Sequence, residues 1–296
     1  MSIYSIKQLE LVSGIKAHTI RMWEKRYGLF SPQRTDTNIR RYSDLDVRLI
    51  LNIALLTRNG YRISKVANKS SEEISALILQ LTTQKSPSEK NNLEPLILPM
   101  LSFNQSIFKA HINRKINEQG LEKTFEDLIA PLLYRIGILW QTGMINSTHE
   151  HFVSNLIKHT IIFHTEMLKE PKSDSSLFLY FLPEGEFHEI GLLFYAYIGK
   201  KMGYRTIYLG QSTPVEDVVR MAKEIKPTIL FTSVSTIISK INRVEFLKNL
   251  QKNVPNSYLF ITGHKANQDR SNIPETITIV SSLETFTNKL TSLKIK

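Results

Sequence analysis

The sequence predicts a multidomain α and α/β protein in three parts, and three observations lead there. Positive charge is concentrated at the start: residues 1–70 hold 13 Lys+Arg against 5 Asp+Glu, while the remaining 226 hold 25 against 22. From Leu93 to Glu170 the apolar residues recur at helical spacing. From Leu177 onward short apolar runs alternate with helical segments, the pattern of a parallel sheet covered by helices. A chain of 296 residues is long enough for two or three domains with real cores. The chain has no cysteine, which removes disulfides, thiolate metal sites and cysteine nucleophiles and suits a reducing compartment. Met1-Ser2-Ile3-Tyr4 does not open a signal peptide, and no run of about 18 apolar residues exists to span a membrane. A cytoplasmic protein is expected.

The first part begins with a short helix over Ser5–Val12, capped by Ser5, with Ile6, Leu9 and Val12 at helical spacing. Ser13-Gly14 ends it. A second helix over Lys16–Tyr27 turns Ile20 and Trp23 inward, and Lys16, His18, Arg21 and Lys25 outward. Two short helices joined by a glycine turn, with donors on the second, form a helix-turn-helix pattern whose second helix can read a DNA major groove. Tyr27-Gly28-Leu29-Phe30-Ser31-Pro32 leads into Gln33–Asn38 and then Arg40-Arg41-Tyr42-Ser43. Ser43 and Asp46 make a short capping box for a helix over Leu45–Asn59, and Gly60–Val66 starts another. The block from Trp23-Glu24-Lys25-Arg26-Tyr27-Gly28 through Arg34 and Arg40-Arg41-Tyr42-Ser43 resembles the MerR family of transcription regulators over about 70 residues. The resemblance implies a winged DNA-binding domain that works as a dimer on double-stranded DNA. Arg21 and Lys25, with Lys16 and His18 beside them, then look like recognition-helix contacts. Arg34, Arg40 and Arg41 look like wing or phosphate contacts, which set register more than sequence choice. Tyr42 and Trp23 have two readings, DNA contact or packing. The long dimerisation helix that many members carry is not evident, so assembly would fall to the rest of the chain.

Ser70-Ser71-Glu72-Glu73 opens a short helix to Leu81, and Thr82–Asn92 has linker composition. Helical patterns then run near Leu96–Gln105, Ile107–Glu118, Leu121–Trp140 and Ser147–Glu170, the makings of a four-helix bundle. Trp140 ends the third and Glu150-His151 opens the fourth. On the residues alone Trp140 reads as core and Glu150 as a helix-start acid.

The last part has strand-like runs at Leu177–Leu182, Thr206–Leu209, Thr228–Ser233, Tyr258–Thr262 and Thr276–Val280. Helix-like runs at Glu189–Met202, Pro214–Ile225, Ile241–Gln251 and Leu283–Leu293 lie between or after them. Five such strands fit a flavodoxin-like sheet with its crevice at the carboxyl ends of the strands. The dinucleotide and phosphate-loop fingerprints are absent. The loop Leu182-Pro183-Glu184-Gly185-Glu186-Phe187-His188-Glu189-Ile190-Gly191 follows the first strand. A histidine there, two residues after a carboxylate, can offer one imidazole nitrogen to a metal while the carboxylate holds the other. The plainer reading is an acidic helix start.

Cobalamin-binding domains carry Asp-x-His-x-x-Gly after the first strand, a Ser motif near the third and Gly-Gly after the fourth. This chain has Glu186-Phe187-His188-Glu189-Ile190-Gly191, Ser233-Val234-Ser235-Thr236 and Thr262-Gly263 in those places. The order of all three parts resembles the adenosylcobalamin-dependent light-responsive repressors of the CarH type across nearly the full length. The resemblance implies that His188 ligates cobalt from below with Glu186 in support. Trp140, Glu150 and His151 then surround the adenosyl group, Ser233 and Gly263 sit along the buried tail, and Gly191 lets a bulky group come close to the backbone. Four positions depart from the pattern: Glu186 replaces the aspartate, Ser235 takes the third position of the Ser motif, Thr262 replaces the first glycine, and Gln141 stands where the photoreceptors have a histidine after the tryptophan.

The expected divisions are a winged helix-turn-helix over 1–75, a linker over 76–92, a helical cap over 93–172 and a Rossmann-like cobalamin domain over 173–296. The expected protein is no enzyme but a homo-oligomeric DNA-binding regulator, a repressor that holds DNA with adenosylcobalamin bound and releases it when light breaks the cobalt–carbon bond. The alternative is a regulator of the same architecture that binds no cobalamin and uses its last domain for assembly or a protein partner. A methyltransferase's corrinoid carrier would have no use for the basic wing.

Overall fold

The computed structural model describes residues 4–35, 38–85, 93–233, 243–263 and 273–293. The chain forms two compact units, Met1–Leu156 and Ile157–Lys296.

In the first unit, helix α1 (Ile6–Ser13) starts with a full capping box between Ser5 and Gln8. The turn at Gly14 leads into α2 (Ala17–Tyr27), for which Lys16 is the N-cap residue rather than the first helical one. Strands β1 (Gln33–Arg34) and β2 (Arg40–Arg41) pair antiparallel as a small wing. Asp36 and Thr37 lie outside the described residues. Helix α3 (Asp44–Arg58) has the expected box between Ser43 and Asp46. A single turn, α4 (Ile63–Val66), precedes α5 (Ser71–Lys85). Ser70 and Glu73 cap α5 reciprocally, and the helix continues past Leu81 into residues whose polar composition reads as linker. One apolar cluster holds these elements together: Leu9, Ile20, Trp23, Phe30, Tyr42, Val47, Ile50, Ile53, Leu56, Val66, Ile74 and Ile78, joined by Ile138 from further along the chain.

The bundle contains α6 (Glu94–Leu101), α7 (Gln105–Thr124), a π-helical turn (Phe125–Ile129), α8 (Ala130–Gln141) and the first half of α9 (Ser147–Glu166). Gly120 interrupts α7 at φ 83°, ψ 163°, a backbone conformation that side chains disfavour. The helix expected from Leu121 to Trp140 therefore begins where expected but reaches α8 through the π turn. Asn146 caps α9 by accepting from the backbone of Thr148 and His149.

In the second unit five parallel strands form one sheet: β3 (Leu177–Phe181), β4 (Arg205–Tyr208), β5 (Ile229–Ser233), β6 (Tyr258–Thr262) and β7 (Thr278–Ile279), in the order β4-β3-β5-β6-β7. This is the flavodoxin-like order, with its switch point between β3 and β5. The helices are α10 (Ile190–Lys201), α11 (Val215–Ile225), α12 (Arg243–Asn253) and α13 (Leu283–Ser292). Residues Leu179, Phe181, Leu230, Leu259 and Ile261 pack against Val218, Ala222, Phe246, Leu247 and Leu250 of α11 and α12. The alternate strand residues Tyr180, Phe231 and Phe260 meet Tyr195 of α10 and Phe286 of α13 in an aromatic layer with ring centroids 5.2–6.1 Å apart. The strands bury both faces, as a doubly covered parallel sheet requires.

Candidate functional site

The sheet unit carries the first candidate site, on the loop that leaves β3. Pro183–Glu186 closes a turn, with the Glu186 N–H donating to the Pro183 carbonyl at 2.9 Å and Gly185 at φ 81°. The loop after β4 buttresses it: Gly185 N–H donates to Ser212 Oγ at 3.2 Å, and Ser212 N–H to the Glu186 carbonyl at 3.2 Å. Glu186 is 1 % exposed, so its carboxylate needs donors. Its Oε1 accepts from the N–H groups of Phe187 and His188, each at 3.0 Å, and pairs with His188 Nδ1 at 2.9 Å. The imidazole itself is exposed, with 63 % of its side-chain surface open. With the proton on Nδ1, the lone pair sits on Nε2, which is the tautomer a metal ligand needs.

Glu189, the next residue, is fixed in turn. It accepts from Tyr208 Oη at 3.0 Å and Gln211 Nε2 at 2.8 Å, and pairs with Lys158 of α9 at 3.2 Å. Gln211 also donates to the Phe187 carbonyl at 2.9 Å. Burial, followed by the Glu189 charge, pushes the Tyr208 phenol up, so it stays a donor. Sequence reasoning missed this clamp because its members come from separate elements.

The other sheet residues fall at strand ends. Gly191 opens the first turn of α10, and a side chain there would meet nothing within 4 Å. Ser233 ends β5 and is buried; Val234, Ser235 and Thr236 lie outside the described residues. Thr232 Oγ1, one residue earlier and paired in register with Phe181 of β3, is buried without a hydrogen-bond partner. Thr262 is buried and donates its hydroxyl to the Val280 carbonyl at 2.8 Å. Gly263 has φ 109°, a conformation that only glycine adopts readily.

In the first unit Trp140 is half-buried against the apolar cluster of the winged block. Its Nε1 donates to Ser147 Oγ at 3.3 Å, and the Arg48 guanidinium lies 5.2 Å from its ring centroid. Glu150 and His151 pair with each other, Oε2 to Nδ1 at 3.0 Å, on the first turn of α9, with 72 % of the His151 side chain exposed.

The basic block presents its charge on one stripe. His18, Arg21 and Lys25 are exposed on α2, opposite buried Ile20 and Trp23. Lys16 is exposed and pairs with Glu10 at 3.3 Å. Glu24 is a hub: Arg40 Nε donates to both its oxygens at 3.0 and 3.1 Å, Tyr42 Oη donates at 3.2 Å, and Arg34 lies at 3.9 Å. Arg41 is exposed on the opposite face of the wing. Tyr42 corrects an expectation. It is 1 % exposed, packs edge-on against Phe30 and bridges Tyr4, so of its two readings packing holds and DNA contact does not. Burial and the neighbouring Glu24 raise its phenol to about 12.

Comparison with known proteins bears on both units. Residues 4–73 match the MerR HTH family regulatory protein profile, and residues 94–162 match a B12 binding domain. The HTH-type transcriptional repressor CarH of Myxococcus xanthus is 29 % identical over 244 residues, covering 80 % of each chain. The HTH-type transcriptional repressor CarA of the same organism is 25 % identical, covering 77 % of this chain and 75 % of its own. Among solved structures, a cobalamin-binding protein from Desulfitobacterium hafniense superposes with a TM-score of 0.35 at 15 % identity, over 69 % of this chain and 99 % of its own.

Proposed function

We propose, for a chain that joins a MerR-type helix-turn-helix to a B12-binding domain, a DNA-binding transcription regulator controlled by adenosylcobalamin. The observation that carries the cofactor reading is His188 held at Nδ1 by a buried Glu186, at the carboxyl end of β3 beside the sheet's switch point. The other residues suit the group. The unpartnered Thr232 hydroxyl, Ser233 and the Gly263 backbone lie at the strand ends where the family's buried tail runs. The Thr262 hydroxyl is taken up by Val280, so this departure leaves no unmet polar group there.

In this reading His188 donates through Nε2 and Glu186 fixes its tautomer, while Trp140, Glu150 and His151 line the adenosyl side. Bound adenosylcobalamin supplies a light-labile cobalt–carbon bond, whose loss removes a large group from beside the cap. The DNA face is His18, Arg21 and Lys25 on α2, with Arg34 and Arg41 on the wing; Arg40 serves the wing through Glu24. No described helix is long and apolar enough to cross a membrane. The proposed protein is a cytoplasmic homo-oligomeric repressor and not an enzyme.

A second reading has support from the end of α9, where Ile162 and Phe163, with Met167 just after the helix, are exposed at 44, 61 and 71 %. There the last domain serves assembly and takes no corrinoid. One experiment separates the two: incubate the protein with adenosylcobalamin in the dark, remove free cofactor, record the absorbance spectrum, then illuminate. A retained corrinoid spectrum that changes in green light, and is lost in His188→Ala, supports the first. Absence of a retained corrinoid refutes it.

A further inference from the structure

The DNA face proposed above contains one residue unlike its neighbours. On α2, His18, Arg21, Met22 and Lys25 recur at helical spacing along one stripe, and all are exposed. His18, Arg21 and Lys25 carry nitrogen donors, and Met22 carries none. Met22 is 49 % exposed, while Ile20 and Trp23 on the other side of the helix are 0 and 7 % exposed within the apolar cluster. Tyr27 also packs against that cluster. A methionine thus stands in the middle of an otherwise polar, basic stripe and is turned away from the core.

Neither folding nor general attraction to DNA accounts for an apolar side chain at this place. Lys, Arg, Gln and Glu form helices about as well as Met, so helix propensity does not select it. A further Lys or Arg would add to the attraction for phosphate, which Met does not. Single exposed apolar residues are ordinary on protein surfaces, and it is the position of this one that singles it out. The major groove offers a counterpart. Every base edge there presents hydrogen-bond donors or acceptors, and thymine alone adds an apolar group, its C5 methyl. Arg and Lys suit guanine edges or phosphate oxygens, whereas an apolar side chain suits the thymine methyl.

We propose that Met22 is a specificity-determining residue that packs on a thymine C5 methyl in the major groove, between the groups met by Arg21 and Lys25. This rests on the DNA face proposed above and adds the base read at the middle of its stripe. The unbranched, polarizable methionine side chain adapts to a small apolar target. Burying one methyl group corresponds to a preference of about 4-fold over the same duplex without it. Such a contact neutralises no phosphate, so it leaves the salt dependence of binding unchanged.

The test starts from a duplex selected out of a randomised pool by the full-length wild-type chain, in the dark with adenosylcobalamin added. Each thymine of that duplex is replaced in turn by deoxyuridine, which lacks only the methyl group. In gel-shift titrations one replacement should weaken wild-type binding about 4-fold. Met22→Gln keeps the length of the side chain and loses its apolar end, and Met22→Leu keeps an apolar end. Both change an exposed position, so both should show wild-type circular dichroism and thermal unfolding. The penalty at that thymine should vanish in Met22→Gln and persist in Met22→Leu, with one slope of log K against log salt for all three proteins. The proposal is overturned if no single deoxyuridine weakens the wild type, or if Met22→Gln shows the same penalty at the same thymine. Either result leaves the DNA face standing and removes only the thymine contact. Failure of the wild type to select any duplex removes the DNA face and this contact with it.

Discussion

Replacing Glu186 by Gln tests the core of the site. Three donors converge on one oxygen of a carboxylate that is 1 % exposed: two backbone N–H groups at 3.0 Å and the imidazole Nδ1 at 2.9 Å. A hydrogen bond to a charged group contributes about 1.5–3 kcal/mol and a neutral one about 0.5–1.5. The amide is nearly isosteric, so the substitution removes about 1 kcal/mol per bond, or about 3 kcal/mol in all. These three donors belong to Phe187 and His188, so their loss is felt on the loop itself. Since about 1.4 kcal/mol is a factor of ten, a loss of about 3 kcal/mol should speed amide-resolved hydrogen exchange at these two residues by about 100-fold. Strands β3 and β5 should keep wild-type protection. Spectral titration with adenosylcobalamin should show affinity reduced by about 10- to 100-fold, the usual effect of removing the partner of a ligating histidine. Unchanged exchange at both amides would sink the claim that Glu186 organises the loop. Changed exchange with unchanged cofactor affinity would sink the claim that the loop's order matters to the metal.

Two further outcomes are expected. Arg21→Ala and Lys25→Ala should each weaken DNA binding, and the one that contacts phosphate should lower the slope of log K against log salt by about 1; a gel-shift series over salt concentration measures both. Alkaline stability should report Tyr42, whose phenol is raised to about 12 by burial and Glu24. Its contribution is intact below the unfolded value near 10 and declines as pH rises toward 12, by at most about 1.4 kcal/mol per pH unit. Tyr42→Phe should flatten that decline in chemical-denaturation curves between those pH values.

Local chemistry made some of the molecule legible from sequence. Glu186 and His188 are two residues apart on a tight loop, so their pairing is close to a property of the loop itself. The capping boxes at Ser5 and Ser43 are equally local. The Glu189 clamp is different in kind, because its partners Tyr208 and Gln211 lie 19 and 22 residues away and meet it only once β4 is beside β3. Glu24 as the anchor of the wing was hidden for the same reason, being 16 residues from Arg40. Tyr42 carried a signal that can be read: in an extended strand residues 40 and 42 share a face and 41 opposes them. Arg40 and Tyr42 do both reach Glu24, while Arg41 is exposed. Helix ends were least legible where polar composition mimics a linker, as along the last turn of α5.

Gln141 joins these strands of argument. The CarH-type resemblance gives its position a histidine that can meet cobalt once the adenosyl group has gone, and glutamine is a poor ligand for that purpose. The junction with α3 uses only the backbone carbonyl of this residue, as acceptor from Asn52. A carbonyl at the end of a helix is indifferent to the side chain it belongs to, provided the helix persists. In the proposed function the side chain at 141 can therefore bear on the cofactor while its backbone keeps the contact with Asn52. Trp140 is under both constraints, since its ring meets Arg48 and Ser147 in this structure and lies beside the adenosyl group in the proposed one.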